Sequence, residues 1–400
     1  MENKILQKLV QLQNDYRQQG KRFSFQRFLF KELKEKEVKL PHITGISGLR
    51  GSGKTVLLLQ LLNALPQSFY ISLDTVEEAD LFVLAQELVK RYRISTLLLD
   101  EVHYLPRWAL YLKQIYDILK LKLFFTSSVS LDILTTREDL SRRVRVLTLP
   151  ILSFREYLAL TEQKTVSKLN LAQALEVSEA DPELEGYFWD YLNFPLPSQI
   201  QNKTPQLITN IIERILVKDL TSEKALNLSD QVLLKQILKF LSQIPGGDIS
   251  VSQLAQNFKV SKYKMGQLLE LLERAFLINR IWPVGRNVLK EPKILLNLPF
   301  RIYLSEKEVS EVMGILKEDF LVSQLKGLGI RLKYLKTKRG RKTPDFYLKW
   351  QGKEYVIEVG GKSKGRNQFK GIEVKNKVLA LYPFSSQKSA VPLYVLGMLY

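Results

Sequence analysis

The 400-residue sequence contains no cysteine. Disulfide bridges, thiolate metal sites and cysteine nucleophiles are therefore excluded, and a reducing compartment suits the chain. Histidine occurs only twice, so a histidine-rich zinc centre is not expected. No run approaches the ~18 uncharged apolar residues of a membrane span. Met1-Glu2-Asn3-Lys4 carries charge early and lacks the apolar core of a secretory leader. A cytoplasmic protein without membrane partners is the expectation. Acidic residues are the scarcer charge, 41 against 60 basic ones, for a net charge of +19. The excess gathers late, since residues 331–400 hold 16 basic and 4 acidic residues, a net of +12. A basic field of that kind favours a polyanion such as nucleic acid, most simply DNA.

Hydrophobic residues make up 45% of the chain, and its length suits two or three domains at ~150 residues each. Residues 1–40 read as a helical segment closed by Pro41. From 41 to 150 strands alternate with helices, the pattern of a parallel sheet with crossover helices. Strands are expected at 42–47, 69–73, 96–100, 121–126 and 145–149. Residues 151–228 read as helical, broken by Pro182, Pro195, Pro197 and Pro205. Residues 229–290 give helices at 231–241, 251–258 and 262–274 followed by a strand near 281, the order of a winged helix-turn-helix. Ser261-Lys262-Tyr263-Lys264 would open its second, groove-facing helix. From 291 to 400 an α/β pattern returns. A helix is expected at 310–328, strands at 332–335, 345–350 and 355–359, then a last helix and a strand at 392–395.

Residues 48–55, Gly-Leu-Arg-Gly-Ser-Gly-Lys-Thr, fit the phosphate-loop pattern GxxxxGK[ST]. Such a loop turns backbone N–H groups onto phosphate oxygens and opens a helix whose N-terminus also favours an anion. Gly48, Leu49, Arg50, Gly51, Ser52 and Gly53 would form the cradle. Lys54 would reach the β- and γ-phosphates, and Thr55 would ligate Mg²⁺. About 45 residues on, Leu97-Leu98-Leu99-Asp100-Glu101 is a buried strand ending in two carboxylates. Asp100 is placed to hold the Mg²⁺ of an ATP complex, and Glu101 to orient or deprotonate the attacking water. Thr126, Ser127 and Ser128 end the strand expected beside it, where hydroxyls can face the γ-phosphate. Arg142, Arg143 and Arg145 precede the next strand. Arg143 is the candidate to face a neighbouring subunit's γ-phosphate if copies form a ring.

With these segments the chain resembles prokaryotic AAA+ ATPases that join a P-loop domain, a helical lid, a winged helix and a C-terminal PD-(D/E)XK nuclease-like domain. The similarity is carried by Gly48–Thr55, Leu97–Glu101, Phe125–Ser128 and the string Pro150-Ile151-Leu152-Ser153-Phe154-Arg155-Glu156-Tyr157, which looks like the family's PLSFREY junction. Two departures stand out. Arg142 occupies the place of the glycine before the family's arginine, and Leu192-Asn193-Phe194-Pro195 replaces GGFP in the lid. The resemblance implies an α/β fold with a parallel-sheet AAA+ core, a lid, a winged helix and a restriction-endonuclease-like C-terminal domain.

In that last segment Thr343-Pro344-Asp345 precedes Tyr355-Val356-Ile357-Glu358-Val359-Gly360-Gly361-Lys362. Asp345 and Glu358 on neighbouring strands can converge on Mg²⁺ or Mn²⁺, whose preference is for hard oxygen ligands. Glu318, on the preceding helix, would complete the set, with Gln368 nearby. The PD-(D/E)XK pattern wants lysine at 360. Residues 358, 360 and 362 share one strand face, so Lys362 is the candidate in its stead. Lys336, Lys338, Arg339, Arg341 and Lys342 form a basic stretch beside Asp345 that suits phosphate contacts, and Lys364, Arg366 and Lys370 add to it.

The expected function is Mg²⁺-dependent ATP binding and hydrolysis coupled to nucleic-acid binding through the C-terminal half. Two alternatives remain open at this level. One is an ATP-regulated DNA nuclease using Asp345, Glu358 and Lys362. The other is a STAND-like signalling switch that binds a protein partner.

Overall fold

The computed structural model describes residues 2–75, 80–130, 140, 142–223, 226–244, 249–285, 291–335 and 343–400. They belong to two compact units, Met1–Leu149 with Val217–Ala225, and Pro150–Leu216 with Leu226–Tyr400. Among the described residues no helix is long and apolar enough to cross a membrane.

The first unit is built on five parallel strands, β1 (Ile43–Ser47), β2 (Ser68–Ser72), β3 (Thr96–Asp100), β4 (Lys122–Ser127) and β5 (Val144–Thr148), in the order β5-β1-β4-β3-β2. The helices are α1 (Glu2–Lys21), α2 (Leu29–Glu35), α3 (Lys54–Ala64), α4 (Leu81–Tyr92) and α5 (Trp108–Gln114). Both faces of the sheet are covered, so its central strands read as continuous apolar runs. The two-residue period survives only in which core each residue enters. Leu97, Leu99, Leu123 and Phe125 pack with Leu6 and Leu9 of α1. Leu98 and Phe124 pack with Leu57, Leu58, Leu61 and Leu62 of α3. The expected N-terminal helical segment thus supplies part of the core. It also covers an open sheet edge: the Gln13 amide donates to Tyr70 O (2.8 Å) and accepts from Tyr70 N (3.0 Å). An unpaired strand edge is thereby satisfied as a neighbouring strand would satisfy it.

The strand order sets the site. Because β4 lies between β1 and β3, the loop after β1 and the carboxylates after β3 flank the hydroxyl-bearing end of β4. Crevices at the C-terminal ends of parallel strands are where ligands bind in such sheets.

In the second unit, helices Phe154–Thr161, Pro182–Asn193 and Pro205–Arg214 come first. The first is opened by a capping box between Ser153 and Glu156. Phe154 packs edge-on with Phe188 and Tyr191, which stack on each other, and Phe320 and Tyr394 join them, so the expected lid shares an aromatic core with the C-terminal segment. Helices Leu228–Gln243, Val251–Asn257 and Lys262–Arg274 lead to β6 (Ile278–Pro283), which pairs antiparallel with β7 (Lys293–Leu296). β6 also pairs in parallel with β8 (Leu332–Tyr334). A single seven-stranded sheet therefore crosses position 290, continuing through β9 (Phe346–Trp350), β10 (Lys353–Gly360), β11 (Asn376–Leu381) and β12 (Ala390–Pro392) in the order β12-β11-β10-β9-β8-β6-β7. The helix Val309–Gly327 packs against β7 and β10.

Two expectations fail here. The strand expected at 392–395 is instead β12, ending at Pro392, followed by a 3-10 helix, Leu393–Met398. Where a last helix was expected after β10, the described residues form a short 3-10 turn, Asn367–Phe369, and then β11, which pairs in parallel with β10. Leu379, Ala380 and Leu381 are fully buried, as befits a strand in the sheet interior rather than an amphipathic helix.

Candidate functional site

The phosphate loop joins β1 to α3. Gly53 precedes the helix with φ +96°, a left-handed conformation that a side chain disfavours. At Gly48 a Cβ would lie 2.2 Å from Leu149 O, so backbone packing alone demands glycine there. Lys54, at the first turn of α3, is 4% exposed. Its Nζ donates to Gly48 O (2.9 Å), Leu49 O (3.3 Å) and Ser128 Oγ (3.1 Å). Burial pushes its ammonium pKa down, while the charges of Glu101 and Asp100 oppose that shift.

Thr55 Oγ1 donates to Asp100 Oδ2 (2.7 Å), and Tyr70 OH donates to the same oxygen (2.8 Å). Thr126 Oγ1 donates to the other carboxylate oxygen of Asp100 and accepts from Glu101 N (2.9 Å). Burial, then the charge of Glu101, raises the Asp100 carboxyl above its ordinary range. The Thr55 hydroxyl and Asp100 carboxylate form a pair of hard oxygen donors of the type Mg²⁺ takes.

Glu101 leaves β3 with φ +53°, uncommon for a residue with a side chain. Ser128 holds its carboxylate, from N to Oε2 (3.1 Å) and from Oγ to Oε1 (2.7 Å). Ser128 therefore touches both the loop lysine and the strand-end glutamate. Ser127 Oγ lies 3.3 Å from His103 Nδ1 and caps Val129 N (3.1 Å). The three hydroxyls at the end of β4 and just after it thus divide between the two carboxylates and a histidine.

Sequence reasoning missed four residues. Asp219 is fully buried, and Arg50 Nη1 lies 3.3 Å from both its oxygens. Arg50 is also 3.6 Å from Glu101 Oε1. Tyr104 OH donates to Asp219, and His103 places Nδ1 3.4 Å from Glu101 Oε2 and Nε2 3.7 Å from Asp219 Oδ1. Burial alone would raise the Asp219 pKa, but His103, Arg50 and Tyr104 outweigh it and hold the carboxyl below its ordinary value. The fourth is Arg27, 5% exposed, which donates to Ser52 O (2.6 Å) and braces the loop from outside. Local sequence carried no signal for Asp219, an isolated acid in a helical stretch.

Of the three arginines, Arg143 just before β5 donates from Nε to Asp117 Oδ1 (2.9 Å) of its own chain, Arg145 within β5 pairs with Glu32 and Glu37, and Arg142 is exposed.

In the second unit Asp345 immediately precedes β9, Glu358 lies on the paired β10, and Glu318 lies on the helix packed against β10. Asp345 Oδ2 accepts from Val359 N (2.8 Å). Glu318 is paired with Lys293. Burial and the Asp345 charge push the Glu358 carboxyl up to about 7. Burial likewise takes Glu318 to about 7, with Lys293 opposing and Asp345 adding. Among the described residues no group of three or more acidic or histidine side chains meets metal-binding geometry. Lys362 is exposed, and the ammonium on Glu358 belongs to Lys364, 2.6 Å from Oε1. The strand-face expectation for Lys362 fails because β10 ends at Gly360 and the chain turns back, with Lys364 N donating to Gly361 O (2.9 Å). Gln368 Oε1 is buried without a partner among the described residues. Lys336, Lys338, Arg339, Arg341 and Lys342 lie outside the described residues.

Residues 41–158 match the family described as AAA domain, and residues 194–304 match a domain of unknown function, DUF8612. The chain is similar to Uncharacterized protein MJ1637 of Methanocaldococcus jannaschii, 29% identical over 404 residues that cover 90% of this chain and 84% of that one. Among solved structures, a Thermotoga maritima RuvB variant aligns at 17% identity and TM-score 0.31, over 63% of this chain and 85% of that one. AMPPCP-bound DnaA from Aquifex aeolicus aligns at 17% identity and TM-score 0.25, over 61% and 86%. The α/β core of the first unit is a P-loop domain of the AAA kind.

Proposed function

We propose that this chain is a Mg²⁺-dependent ATPase that couples its nucleotide state to nucleic-acid binding, DNA in the first instance, through the second unit. The observation that carries the ATPase reading is Ser128, whose hydroxyl meets both Lys54 and Glu101 while Thr55 and Asp100 pair beside them. The backbone amides of residues 48–53 and the Lys54 ammonium would bind the phosphates. Thr55 and Asp100 would hold Mg²⁺, which would neutralise charge on the phosphate oxygens. Glu101 would accept a proton from water as the water oxygen attacks the γ-phosphorus and ADP departs. Arg50, a loop residue between Glu101 and Asp219, would meet charge developing on the transferred group.

Two variants test the ATPase. Lys54→Ala abolishes ATP binding, whereas Glu101→Gln keeps ATP bound and slows hydrolysis about 10²- to 10⁴-fold. Unchanged ATP affinity in Lys54→Ala would refute the site.

The nucleic-acid part is supported by the basic balance of residues 331–400 and by the three-helix and β6–β7 arrangement at 228–296, which has the order of a winged helix. A second reading, an ATP-regulated DNA nuclease, is favoured by one observation, the contact of Lys364 with Glu358 on β10, next to Val359, whose N–H donates to Asp345. Cleavage of a duplex with Mn²⁺, lost in Asp345→Ala, separates it from binding alone.

A further inference from the structure

Strands β6, β8 and β9 leave part of one sheet face open to water. Ile281, Leu332 and Leu348 are buried, while Trp282, Lys333 and Lys349 between or beside them are exposed, the alternation of a sheet with one wet face. The register places the outward residues. Trp282 on β6 lies opposite Lys333 on β8, and Lys333 lies opposite Tyr347 on β9, so the three share one row. Arg280 is two residues from Trp282 on the same strand face. Arg331, also exposed, immediately precedes β8.

Trp282 is 50% exposed. A polar side chain is the usual occupant of such a row, and single exposed aromatics ordinarily mean little. The setting of this one is specific. The Arg280 guanidinium carbon lies over the ring, 6.0 Å from its centre, at the reach of a cation–π contact. Arg280 is itself fixed by Glu273, from N to Oε1 (3.1 Å) and from Nε to Oε2 (2.6 Å). The indole therefore stands on a strand inside the sheet beside a held guanidinium. Lys349 is neutralised by Glu354 (2.8 Å). Arg331 and Lys333 have no ion pair among the described residues.

The face thus offers an open π surface with two unpaired cations on the adjoining strand. A ligand that uses both must carry a flat ring and negative charge within a few ångströms of each other. An unpaired nucleotide does, because its base can leave the stack while its phosphates stay on the backbone. A duplex keeps its bases inside, and an acidic peptide has charge without the ring. We propose that Trp282, backed by Arg280 and flanked by Arg331 and Lys333, is a stacking platform for a base of single-stranded nucleic acid, with the two flanking cations on its phosphates. The step rests on the nucleic-acid reading above and narrows it to an unpaired strand. It uses neither Asp345 nor Glu358, and holds whether or not the chain cleaves.

The test uses the full chain and fluorescence anisotropy with a labelled oligothymidine and a labelled duplex of equal length. Trp282→Ala should weaken oligothymidine binding about tenfold, leave duplex binding within about twofold, and leave the salt slope unchanged, since stacking releases no counterions. Trp282→Phe keeps a π face and should recover most of the loss. Arg331→Ala combined with Lys333→Ala should flatten the oligothymidine salt slope by about 1.4, two contacts at about 0.7 each on a single strand. Lys307→Ala removes an exposed cation outside the sheet and should stay within about twofold of the parent. If the duplex binds and oligothymidine does not, the platform is overturned and the nucleic-acid reading stands. If neither binds, both fall. Oligothymidine binding that Trp282→Ala leaves intact overturns the platform, and so does polyglutamate binding with the same dependence on Trp282.

Discussion

Arg50 and Asp219 are 169 residues apart in the chain, yet the guanidinium Nη1 lies 3.3 Å from each carboxylate oxygen. Arg50 belongs to the phosphate loop, and Asp219 to a short stretch that folds with the first unit while the sequence around it folds with the second. The loop arginine therefore has two anionic neighbours, Asp219 and Glu101. Asp219→Asn keeps the shape and removes the charge. Arg50 should then lean on Glu101 and weaken it as a base, lowering ATP turnover about tenfold with little change in KM. The loss of a charged acceptor for Arg50 and Tyr104 should also cost about 1–3 kcal/mol of stability. A double-mutant cycle with Arg50→Ala should give a coupling of about 0.5–3 kcal/mol in turnover. Additive effects would mean that Asp219 acts without Arg50.

Ser128 offers a narrower test. Its hydroxyl bridges Lys54 and Glu101, and its N–H also binds the Glu101 carboxylate. Ser128→Ala removes the bridge and leaves the backbone bond. Glu101 should lose its fixed orientation, and kcat should fall about tenfold while ATP affinity stays within a few-fold. Ser128→Thr retains the hydroxyl and should recover part of the rate. A parent-like kcat in Ser128→Ala would remove the hydroxyl from the mechanism.

What could be foreseen from sequence follows from how local each signal is. The phosphate loop, the β3 carboxylates and the β4 hydroxyls were legible because each is a short motif at a strand end, and five apolar runs fixed their neighbours. Asp219 was not legible, since its role depends on a contact spanning much of the chain. Lys362 was misjudged for a different reason. The two-residue face rule holds only while the strand continues, and β10 stops at Gly360. Beyond it a tight turn decides direction, so Lys364 returns to Glu358 and Lys362 does not. β11 was mistaken for a helix because a short strand buried inside a sheet carries no alternation to mark it.

The second-unit carboxylates predict a pH dependence of stability. Burial, with Asp345 adding, sets Glu358 near 7, well above an unfolded glutamate. Between about pH 4.5 and 7 the folded chain therefore binds a proton that the unfolded chain has released. Its contribution to stability is fully present below the unfolded pKa and is lost as pH rises through the folded one. Glu358→Gln cannot release that proton. Calorimetry from pH 5 to 8 should show the parent losing a few degrees of Tm relative to Glu358→Gln, by roughly the size dependence of such shifts. Parallel Tm profiles would mean that Glu358 ionises in the fold as it does in water.

The basic C-terminal stretch makes a claim about salt. Neutralising backbone phosphates releases condensed counterions, so the logarithm of affinity falls linearly with the logarithm of salt concentration, with a slope near −0.9 per contact. With about four phosphate contacts, DNA affinity should fall roughly a hundredfold between about 50 and 200 mM salt. Substituting Lys336, Lys338, Arg339, Arg341 and Lys342 together with alanine should flatten the slope by as many contacts as that stretch makes, whatever the duplex sequence. Nucleotide state supplies the second axis. If ATP turnover in the first unit controls the grip of the second, the slope measured with Glu101→Gln and ATP should differ from that measured with ADP. A salt response that is flat in both states would remove the polyanion partner. A steep slope that nucleotide leaves untouched would keep the partner and sever it from the ATPase.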